Sequence, residues 1–166
     1  MKRNITSEQV LSIYRGLEER GIKIWIDGGW AVDALLGKET RPHQDLDIAL
    51  QNKNYMQAKR FFEEQGYAEI ERTEDKKWDI VLGNPEGLEV EIHTFNTNEH
   101  GDTASEPYWN GYDAKSLKGE GWISGYPVRC VSIDQLVKTH DHTKRSLKQT
   151  DYQDIQLLEE KFGIKF

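Results

Sequence analysis

The sequence predicts an α+β fold, and three observations support that class. Apolar residues recur at helical spacing near both ends of the chain. Segments between them alternate apolar and polar residues, which is typical of half-buried strands. The chain has 166 residues, which is enough to bury a core and indicates one domain, or one domain with a small appendage.

The first helix is defined by a cap and a periodic apolar face. Thr6 and Gln9 have the spacing of a capping box, and Gly21 is a typical end signal. The apolar residues between them lie at i, i+3, i+4 and i+7: Val10, Ile13, Tyr14 and Leu17. Further along, the pattern predicts a strand at 22–26, a helix at 30–36 that Gly37 ends, a strand at 45–50 and a helix at 54–65.

Strand alternation dominates the middle of the chain. Tyr67–Arg72 is predicted to be a strand, and Trp78, Ile80 and Leu82 alternate with polar residues. Residues 84–87 have the composition of a type I turn, with Pro and Gly at favoured positions. The next strand, which completes a hairpin, has an apolar face formed by Leu88, Val90 and Ile92.

Residues 96–125 are expected to be irregular, because they are rich in Gly, Asn, Asp and Ser. Four aromatic residues there either line a substrate cleft or pack the loop onto the core: Tyr108, Trp109, Tyr112 and Trp122. A strand at 126–131 precedes a helix that Ser132 caps and that runs to about Arg145. Thr150 is expected to cap the last helix, whose buried stripe is Ile155, Leu158 and Phe162.

These elements suggest a core at 1–131, including the irregular loop, and a C-terminal helical extension at 132–166 packed on it.

The net charge of −7 argues against nucleic acid as a partner, and an acidic surface attracts a cationic small substrate. No apolar run approaches the roughly 18 residues of a membrane span, so we expect a cytoplasmic protein without membrane contact. Cys130 is the single cysteine, which excludes an internal disulfide, and we expect a packed strand residue rather than a reactive thiol.

Two acidic residues next to a glycine turn indicate the chemistry. Asp45 and Asp47 share one face of a predicted strand, where two carboxylates repel each other unless a cation lies between them. Mg²⁺ prefers such oxygen ligands and often takes substrate phosphates as further ligands. Upstream, Gly28 and Gly29 precede a helix and offer backbone N–H groups to an anion. Together they suggest metal-dependent phosphoryl or nucleotidyl transfer.

Glu91 is the best candidate for a third carboxylate that would complete a two-metal site. It shares a strand face with Glu89 and His93, opposite the apolar residues. Its role is either that of a metal ligand or that of a general base for a substrate hydroxyl, and the sequence leaves both open. The alternative is an ordinary solvated face of a hairpin.

Charged residues around the glycine turn have less specific roles. Arg41 can clamp a phosphate, and His43 is a phosphate donor, a partner of Asp45 or a simple loop residue. We expect Asp33 to pair with Arg41, and Asp27 to cap the helix after it. A basic cluster nearer the C-terminus either touches a triphosphate or is a solvated helix end: Lys138, His140, His142, Lys144, Arg145 and Lys148.

Three motifs in order resemble the small antibiotic nucleotidyltransferases: residues 28–33 (GGWAVD), then Arg41, His43, Asp45 and Asp47 at alternate positions, then residues 91–93 (EIH). These are the lincosamide nucleotidyltransferases and aminoglycoside 2''-adenylyltransferases of the DNA polymerase β-like superfamily. The resemblance spans most of the chain, although the specific motifs lie in its first half.

The resemblance implies a polymerase β-like fold, with a mixed, mostly antiparallel sheet flanked by helices. It implies that Asp45, Asp47 and Glu91 are the catalytic, metal-binding residues, holding Mg²⁺, with two ions expected. The nucleotide, usually ATP, would bind at Gly28, Gly29, Trp30, Arg41 and His43. Relatives have His or Glu where this chain has His93, so the role of that residue stays open, and a homodimer is one oligomeric state consistent with the resemblance.

We therefore expect an O-nucleotidyltransferase that moves AMP from ATP to a hydroxyl of a small antibiotic, a lincosamide or an aminoglycoside, and releases pyrophosphate. One alternative is a nucleotidyltransferase whose acceptor is a protein side chain, as in an antitoxin-like or regulatory enzyme. Another is a non-catalytic nucleotide-binding module. The retained acidic residues argue against that module, because unpaired acids on one face are costly without a cation.

Overall fold

The computed structural model describes residues 2–71, 79–97 and 112–166. The strands in these ranges are β1 Ile24–Asp27, β2 Asp45–Gln51, β3 Ala68–Glu69, β4 Asp79–Gly83, β5 Glu89–Phe95, β6 Gly119–Ile123 and β7 Tyr126–Cys130. The helices are α1 Ser7–Glu19, α2 Gly28–Leu36, α3 Tyr55–Glu64, α4 Ile133–Thr139 and α5 Gln149–Phe162, with a 3₁₀ turn at Asn52–Asn54 before α3.

The seven strands of the described ranges form one mixed sheet with the order β3-β4-β5-β2-β1-β7-β6. Strand β2 runs antiparallel to β1 and parallel to β5. Strand β7 is parallel to β1, while β3–β4, β4–β5 and β6–β7 are antiparallel. Antiparallel pairs therefore outnumber parallel ones, and the predicted α+β class with a mixed, mostly antiparallel sheet is confirmed.

The central strands and the first helix carry the core. All four residues of β1 are buried, and β2 buries Leu46, Ile48, Ala49 and Leu50. Helix α1 buries its predicted stripe, and Thr6 and Gln9 make both hydrogen bonds of the capping box. Burial of these side chains, at roughly 1.5–3 kcal/mol for each large one, fixes β2 with its polar face turned outward.

A strand lies inside the segment that we expected to be irregular. Gly119–Ile123 forms β6, and in it Gly119, Gly121 and Ile123 are buried while Glu120 and Trp122 are exposed. A Cβ at Gly121 would overlap the backbone carbonyl of Ala34, so glycine lets β6 lie directly on α2. The expectation of an irregular loop is thus wrong at its C-terminal end, because glycines that permit close packing resemble loop glycines in a sequence.

Several expectations lie outside the described residues, namely those on Trp78, Tyr108 and Trp109 and on the end of the strand at 67–72. Tyr112 is buried and packs its ring 5.7 Å from that of Phe95, whereas Trp122 is half exposed. For Tyr112, packing onto the core is the correct alternative.

The penultimate helix is shorter than predicted. Helix α4 starts after Ser132, whose hydroxyl accepts the backbone N–H of Gln135, but it ends at Thr139 instead of near Arg145. Asp141 draws the chain out of the helix by accepting hydrogen bonds from the backbone N–H and the hydroxyl of Thr143. The Arg145 guanidinium then donates to the Thr139 carbonyl at 2.5 Å and satisfies the helix end.

The last helix also differs in its cap and its buried face. Helix α5 begins at Gln149, and the Asp151 carboxylate accepts the backbone N–H of Lys148, so the expected Thr150 cap is wrong. Of the predicted stripe, Leu158 is buried, Ile155 is half buried and Phe162 is exposed. A carboxylate, that of Asp154, is buried on this helix instead.

Helix α5 is attached to α2. The Lys161 ammonium donates to the carbonyls of Leu35 and Leu36 at 2.9 and 3.1 Å, at the C-terminal end of α2. The division into a core at 1–131 and an extension at 132–166 remains a prediction. Among the described helices, none combines the length and the apolar character needed to cross a lipid bilayer.

Cys130 lies on β7 beside Ile26 of β1 and has no exposed surface, as expected of a packed strand residue. Burial raises the pKa of its thiol to about 12. Because the pKa in the folded protein lies above the ordinary thiol value of 9.0, the thiol contributes stability below pH 9 that is lost as the pH rises toward 12. We predict that a disulfide thiol reagent at pH 8 leaves the native protein unlabelled and labels the protein in urea. Cys130→Ser is the blank, and labelling of the native protein would contradict the buried placement.

Candidate active site

The turn between β1 and α2 depends on its two glycines. The Asp27 carboxylate accepts the backbone N–H of Gly28 at 2.8 Å and caps α2, as predicted. Gly28 has a φ of 61°, which favours glycine, and a Cβ there would overlap the Asp47 carboxylate. A Cβ at Gly29 would lie 2.6 Å from Nδ1 of His43. The glycines therefore let the start of a helix approach the acidic strand closely.

Strand pairing brings the predicted acids together. Asp45 and Asp47 alternate with the buried Leu46 and Ile48 on β2, so both project from the other face. Strand β5 runs parallel to β2 in a register that sets Glu91 beside Asp47 and Glu89 beside Asp45. Carboxylates from two separate segments therefore converge next to the glycine turn.

The acids perturb each other's ionisation. Burial and the neighbouring Asp47 carboxylate raise the pKa of Glu91 to about 8. Burial and Asp47 also raise the pKa of Asp45. Burial opposes the ionised form of Asp47, yet hydrogen bonds from His93 and Glu91 lower its pKa. Closely spaced acids of this kind favour a bound cation, and oxygen donors suit a hard divalent ion such as Mg²⁺.

His93 bridges two carboxylates of neighbouring strands. Its Nε2 lies 3.1 Å from Oδ1 of Asp47, and its Nδ1 lies 2.8 Å from Oδ1 of Asp79 on β4. Although burial opposes protonation, hydrogen bonds to both carboxylates raise the pKa of the imidazole well above 6.5. Asp79 was not among the residues predicted from the sequence. The β4–β5 hairpin pairs Asp79 with His93 and is the signal that could have found it.

The compact donor cluster differs in one member from the predicted metal set. Among the described residues, ligand atoms of Asp47, Glu91 and His93 all lie within 4.8 Å of one another. The Asp45 carboxylate lies at the edge instead, 3.5 Å from the Lys2 ammonium, which is also 3.7 Å from Glu89. The carboxylates of this cluster fit a divalent ion, whereas both ring nitrogens of His93 already contact carboxylates. The set of Asp45, Asp47 and Glu91 as metal ligands stays a prediction.

A cleft of about 870 Å³ opens over these acids. One wall carries the glycine turn and the acids, and the other carries the end of α4 and the start of α5. The lining includes Asp27, Gly28, Gly29, Arg41, Asp45, Asp47, Glu91, His93, His140, Arg145, Lys148, Asp151 and Asp154. A cleft lined by clustered acids, a glycine turn and several basic side chains suits a ligand that carries both phosphates and bound cations.

Trp30 and His43 lie behind the glycine turn. Their side chains are about 2% and 3% exposed, and the two rings are 4.7 Å apart. Asp33, also buried, contacts Nε2 of His43 at 2.6 Å and accepts from the Thr40 hydroxyl at 2.5 Å. The expected nucleotide contacts by the side chains of Trp30 and His43 are therefore not favoured by this geometry, because both support the turn from inside.

Arg41 faces the cleft but has a different partner from the expected one. Its Nε and Nη2 donate to the two carboxylate oxygens of Asp154 on α5, at 3.1 and 2.8 Å, instead of pairing with Asp33. Sequence reasoning missed this pair because its members are far apart in the chain.

The predicted basic cluster is divided by the fold. Lys138 pairs with Asp113 at 2.7 Å, and Arg145 pairs with Asp151 at 3.2 Å. His140 is buried, and burial lowers its pKa. Of the cluster, His140, Arg145 and Lys148 line the cleft.

Tyr112 connects the segment after β5 to the site. Its hydroxyl donates to Oδ2 of Asp27 at 2.5 Å, and both side chains are buried. The residue was predicted only as one of several loop aromatics, and a tyrosine whose hydroxyl needs a buried acceptor leaves no local pattern.

Comparison with known proteins gives one family. The family model for aminoglycoside-2''-adenylyltransferase matches residues 9–158 of the chain.

Two relatives illustrate the similarity in sequence. The chain is 28% identical over 160 residues to a lincosamide resistance protein of Staphylococcus haemolyticus, covering 93% of this chain and 95% of the relative. It is 31% identical over 125 residues to a 2''-aminoglycoside nucleotidyltransferase of Escherichia coli, covering 75% of this chain and 67% of the relative.

Solved structures share the fold. The lincosamide adenylyltransferase LnuA, in a lincomycin-bound crystal structure, aligns with a TM-score of 0.78 and 25% identity over 95% of this chain and 98% of its own. ANT(2'')-Ia in complex with adenylyl-2''-tobramycin aligns with a TM-score of 0.77 and 20% identity over 95% and 89% of the two chains. The second likeness shows the fold alone.

The buried Asp33–His43 pair should contribute to stability. We predict that Asp33→Asn lowers the free energy of unfolding by about 1–3 kcal/mol, because buried donors lose their charged acceptor. Glu69→Gln is the control, since the Lys59–Glu69 pair is largely exposed and should contribute less than about 1 kcal/mol. Urea denaturation measures the free energy of unfolding of both variants. Equal decreases in the two variants would contradict a structural role for the buried pair.

Proposed function

The chain belongs to the aminoglycoside-2''-adenylyltransferase family, and on this premise we propose that it transfers AMP from MgATP to a hydroxyl of a small antibiotic. Membership of the family shows nucleotidyltransferase activity. The identities of the nucleotide, the metal ion and the acceptor are what we propose. One observation carries it: acids of β2 and β5 converge beside the Gly28–Gly29 turn in a single cleft.

The nucleotide is proposed to bind with its phosphates at the glycine turn. The N–H groups at the start of α2 point toward an anion placed there, and the helix dipole favours negative charge. Arg41 lies in the same cleft and adds a planar donor suited to phosphate oxygens. Trp30 and His43 hold the turn in place from behind.

Asp45, Asp47 and Glu91 would hold the divalent ions. Bound Mg²⁺ would supply positive charge at the phosphates and lower the pKa of the acceptor hydroxyl. The reaction is an in-line displacement in which a new bond forms between the acceptor oxygen and the α-phosphorus. The bond from that phosphorus to the bridging oxygen of pyrophosphate breaks, and the hydroxyl proton passes to a base.

Glu91 fits the role of base as well as that of ligand, because its carboxylate lies beside Asp47 and lines the cleft. His93, held by Asp79, keeps the Asp47 carboxylate oriented toward the cleft. This support is typical of residues behind a metal-binding carboxylate.

The acceptor is proposed to be a lincosamide or an aminoglycoside. Relatives of both names match the chain along most of its length. A protein with a net charge of −7 also attracts a cationic substrate.

Mass spectrometry of reactions with ATP, Mg²⁺ and a panel of lincosamides and aminoglycosides tests the proposal. We expect an antibiotic heavier by one adenylyl group, together with pyrophosphate, and no product when EDTA is added. A second reaction contains labelled ATP and a cell lysate. Label on a protein band, with no antibiotic product in the first reaction, would favour the protein-acceptor alternative and contradict the proposal.

The acidic residues should be essential for transfer. We predict that Asp45→Asn and Asp47→Asn abolish turnover, and that Glu91→Gln lowers it at least ~10²-fold, the effect of a lost general base. Circular dichroism should show a folded protein in each case. Glu89→Gln, on the same strand face, is the matched control and should keep its turnover. Near wild-type turnover in the variant of Asp45, Asp47 or Glu91 would show that the substituted residue is not part of the site.

Gly28 should be required for activity and not merely for the turn. We predict that Gly28→Ala displaces the Asp47 carboxylate and lowers turnover at least tenfold. Gly37→Ala is the matched control: its φ of 77° gives similar backbone strain, of about 1–2 kcal/mol, but a Cβ there has open space. Steady-state kinetics and thermal unfolding separate the two effects, and equal turnover in both variants would contradict the close approach.

A further inference from the structure

We propose that Asp154, on the C-terminal helix α5, is a positioning residue that holds Arg41 for the phosphates of the nucleotide. This inference rests on the proposed function, since it assigns Arg41 to the triphosphate. It adds a residue that lies outside the motifs of the first half of the chain, and it gives α5 a role in substrate binding.

The geometry of the pair is that of a two-point clamp. Nε and Nη2 of Arg41 donate to Oδ1 and Oδ2 of Asp154 at 3.1 and 2.8 Å. A guanidinium has five N–H groups, and this arrangement uses the edge that contains Nε. The opposite edge, with Nη1, has one long contact of 3.5 Å to the Pro42 carbonyl. Two parallel bonds fix the plane of the guanidinium as well as its position.

Burial makes each side chain of the pair depend on the other for its position. The side chain of Asp154 is 3% exposed and that of Arg41 is 23% exposed. A carboxylate at that depth needs a charged or multiply donating partner. The hydrogen bond and charge of Asp154 also raise the pKa of Arg41, so the guanidinium is firmly charged.

The position of Arg41 relative to the glycine turn connects it to the anion site. A Cβ at Gly29 would lie 2.9 Å from Nη2 of Arg41, so the guanidinium packs against the first turn of α2. Arg41, Gly28 and Gly29 all line the cleft that contains the acids. The Asp154 pair uses one of the two N–H groups of Nη2, so an anion bound at the start of α2 would lie next to the other one.

Helix α5 is well placed to hold Arg41 still. Near its start it binds Arg41 through Asp154, and near its end Lys161 binds the last carbonyls of α2. The helix that carries Asp154 is thus tied to the helix whose first turn forms the anion site. An arginine fixed in advance loses less side-chain entropy when it binds phosphate than a free one.

The test measures nucleotide and phosphate binding in Asp154→Asn, Asp154→Glu and Arg41→Lys. Steady-state kinetics gives kcat and KM for MgATP, inhibition by inorganic tripolyphosphate gives its Ki, and inhibition by adenosine probes the site without phosphates. Glu18→Gln is the matched control, because it breaks the Glu18–Arg129 pair, also between a helix and an arginine, outside the cleft.

We expect Asp154→Asn to raise both the KM for MgATP and the Ki of tripolyphosphate about tenfold, the effect of one charge-assisted hydrogen bond. The Ki of adenosine and kcat should change less than about threefold. Asp154→Glu should recover part of the loss, and Glu18→Gln should match wild type. If Asp154→Asn does not fold, Arg41→Lys, which keeps the charge but loses the two-point geometry, should show the same selective loss.

The measurements distinguish failure of the proposed function from failure of the positioning role of Asp154. A wild-type protein that adenylylates no acceptor would overturn the proposed function, and this inference with it. An active wild type with unchanged tripolyphosphate binding in the variants would overturn the positioning role alone. Equal losses for adenosine and tripolyphosphate would also overturn it, because they indicate general damage to the fold.

Discussion

The parallel pairing of β2 with β5 is the constraint on which the site depends. It sets Glu91 beside Asp47, at a separation where both carboxylates cannot ionise freely. The raised pKa of Glu91 is the direct consequence. Hydrophobic burial of the other faces of the two strands, by Leu46, Ile48 and their partners on β5, maintains the register, since a slip by one residue would turn every acid into the core.

Two neighbouring structures hold the Asp47 carboxylate of this pair in place. His93 and Asp79 form a chain of hydrogen bonds that holds Asp47 from one side. The glycine turn approaches Asp47 from the other side, at a distance that no side chain at position 28 would permit. Both arrangements limit the movement of one carboxylate. A nucleotidyltransferase needs such rigidity, because small displacements of metal ligands weaken stabilisation of the charge at the reacting phosphate.

The sequence predicted the parts of the fold and of the site that leave a local pattern. The capping box at Thr6, the alternation through Asp45 and Asp47, and the glycine pair are of this kind, and the resemblance added the mixed sheet. The sequence pattern could not predict contacts between distant segments, such as Arg41 with Asp154 or Tyr112 with Asp27, because nothing near either residue specifies its partner. It also misjudged β6, where glycines serve close packing on α2, and the end of α4, where the Asp141 side chain competes with the helix.

In the proposed function, the acids of β2 and β5 hold a divalent cation together with the nucleotide. Binding of Mn²⁺, measured by electron paramagnetic resonance with a non-hydrolysable ATP analogue present, tests it most directly. We expect the wild-type protein to bind Mn²⁺ with the analogue, and we expect Asp47→Asn and Glu91→Gln to weaken this binding at least ~10-fold, because each removes a charged ligand. Equal Mn²⁺ affinity in the wild type and both variants would contradict it.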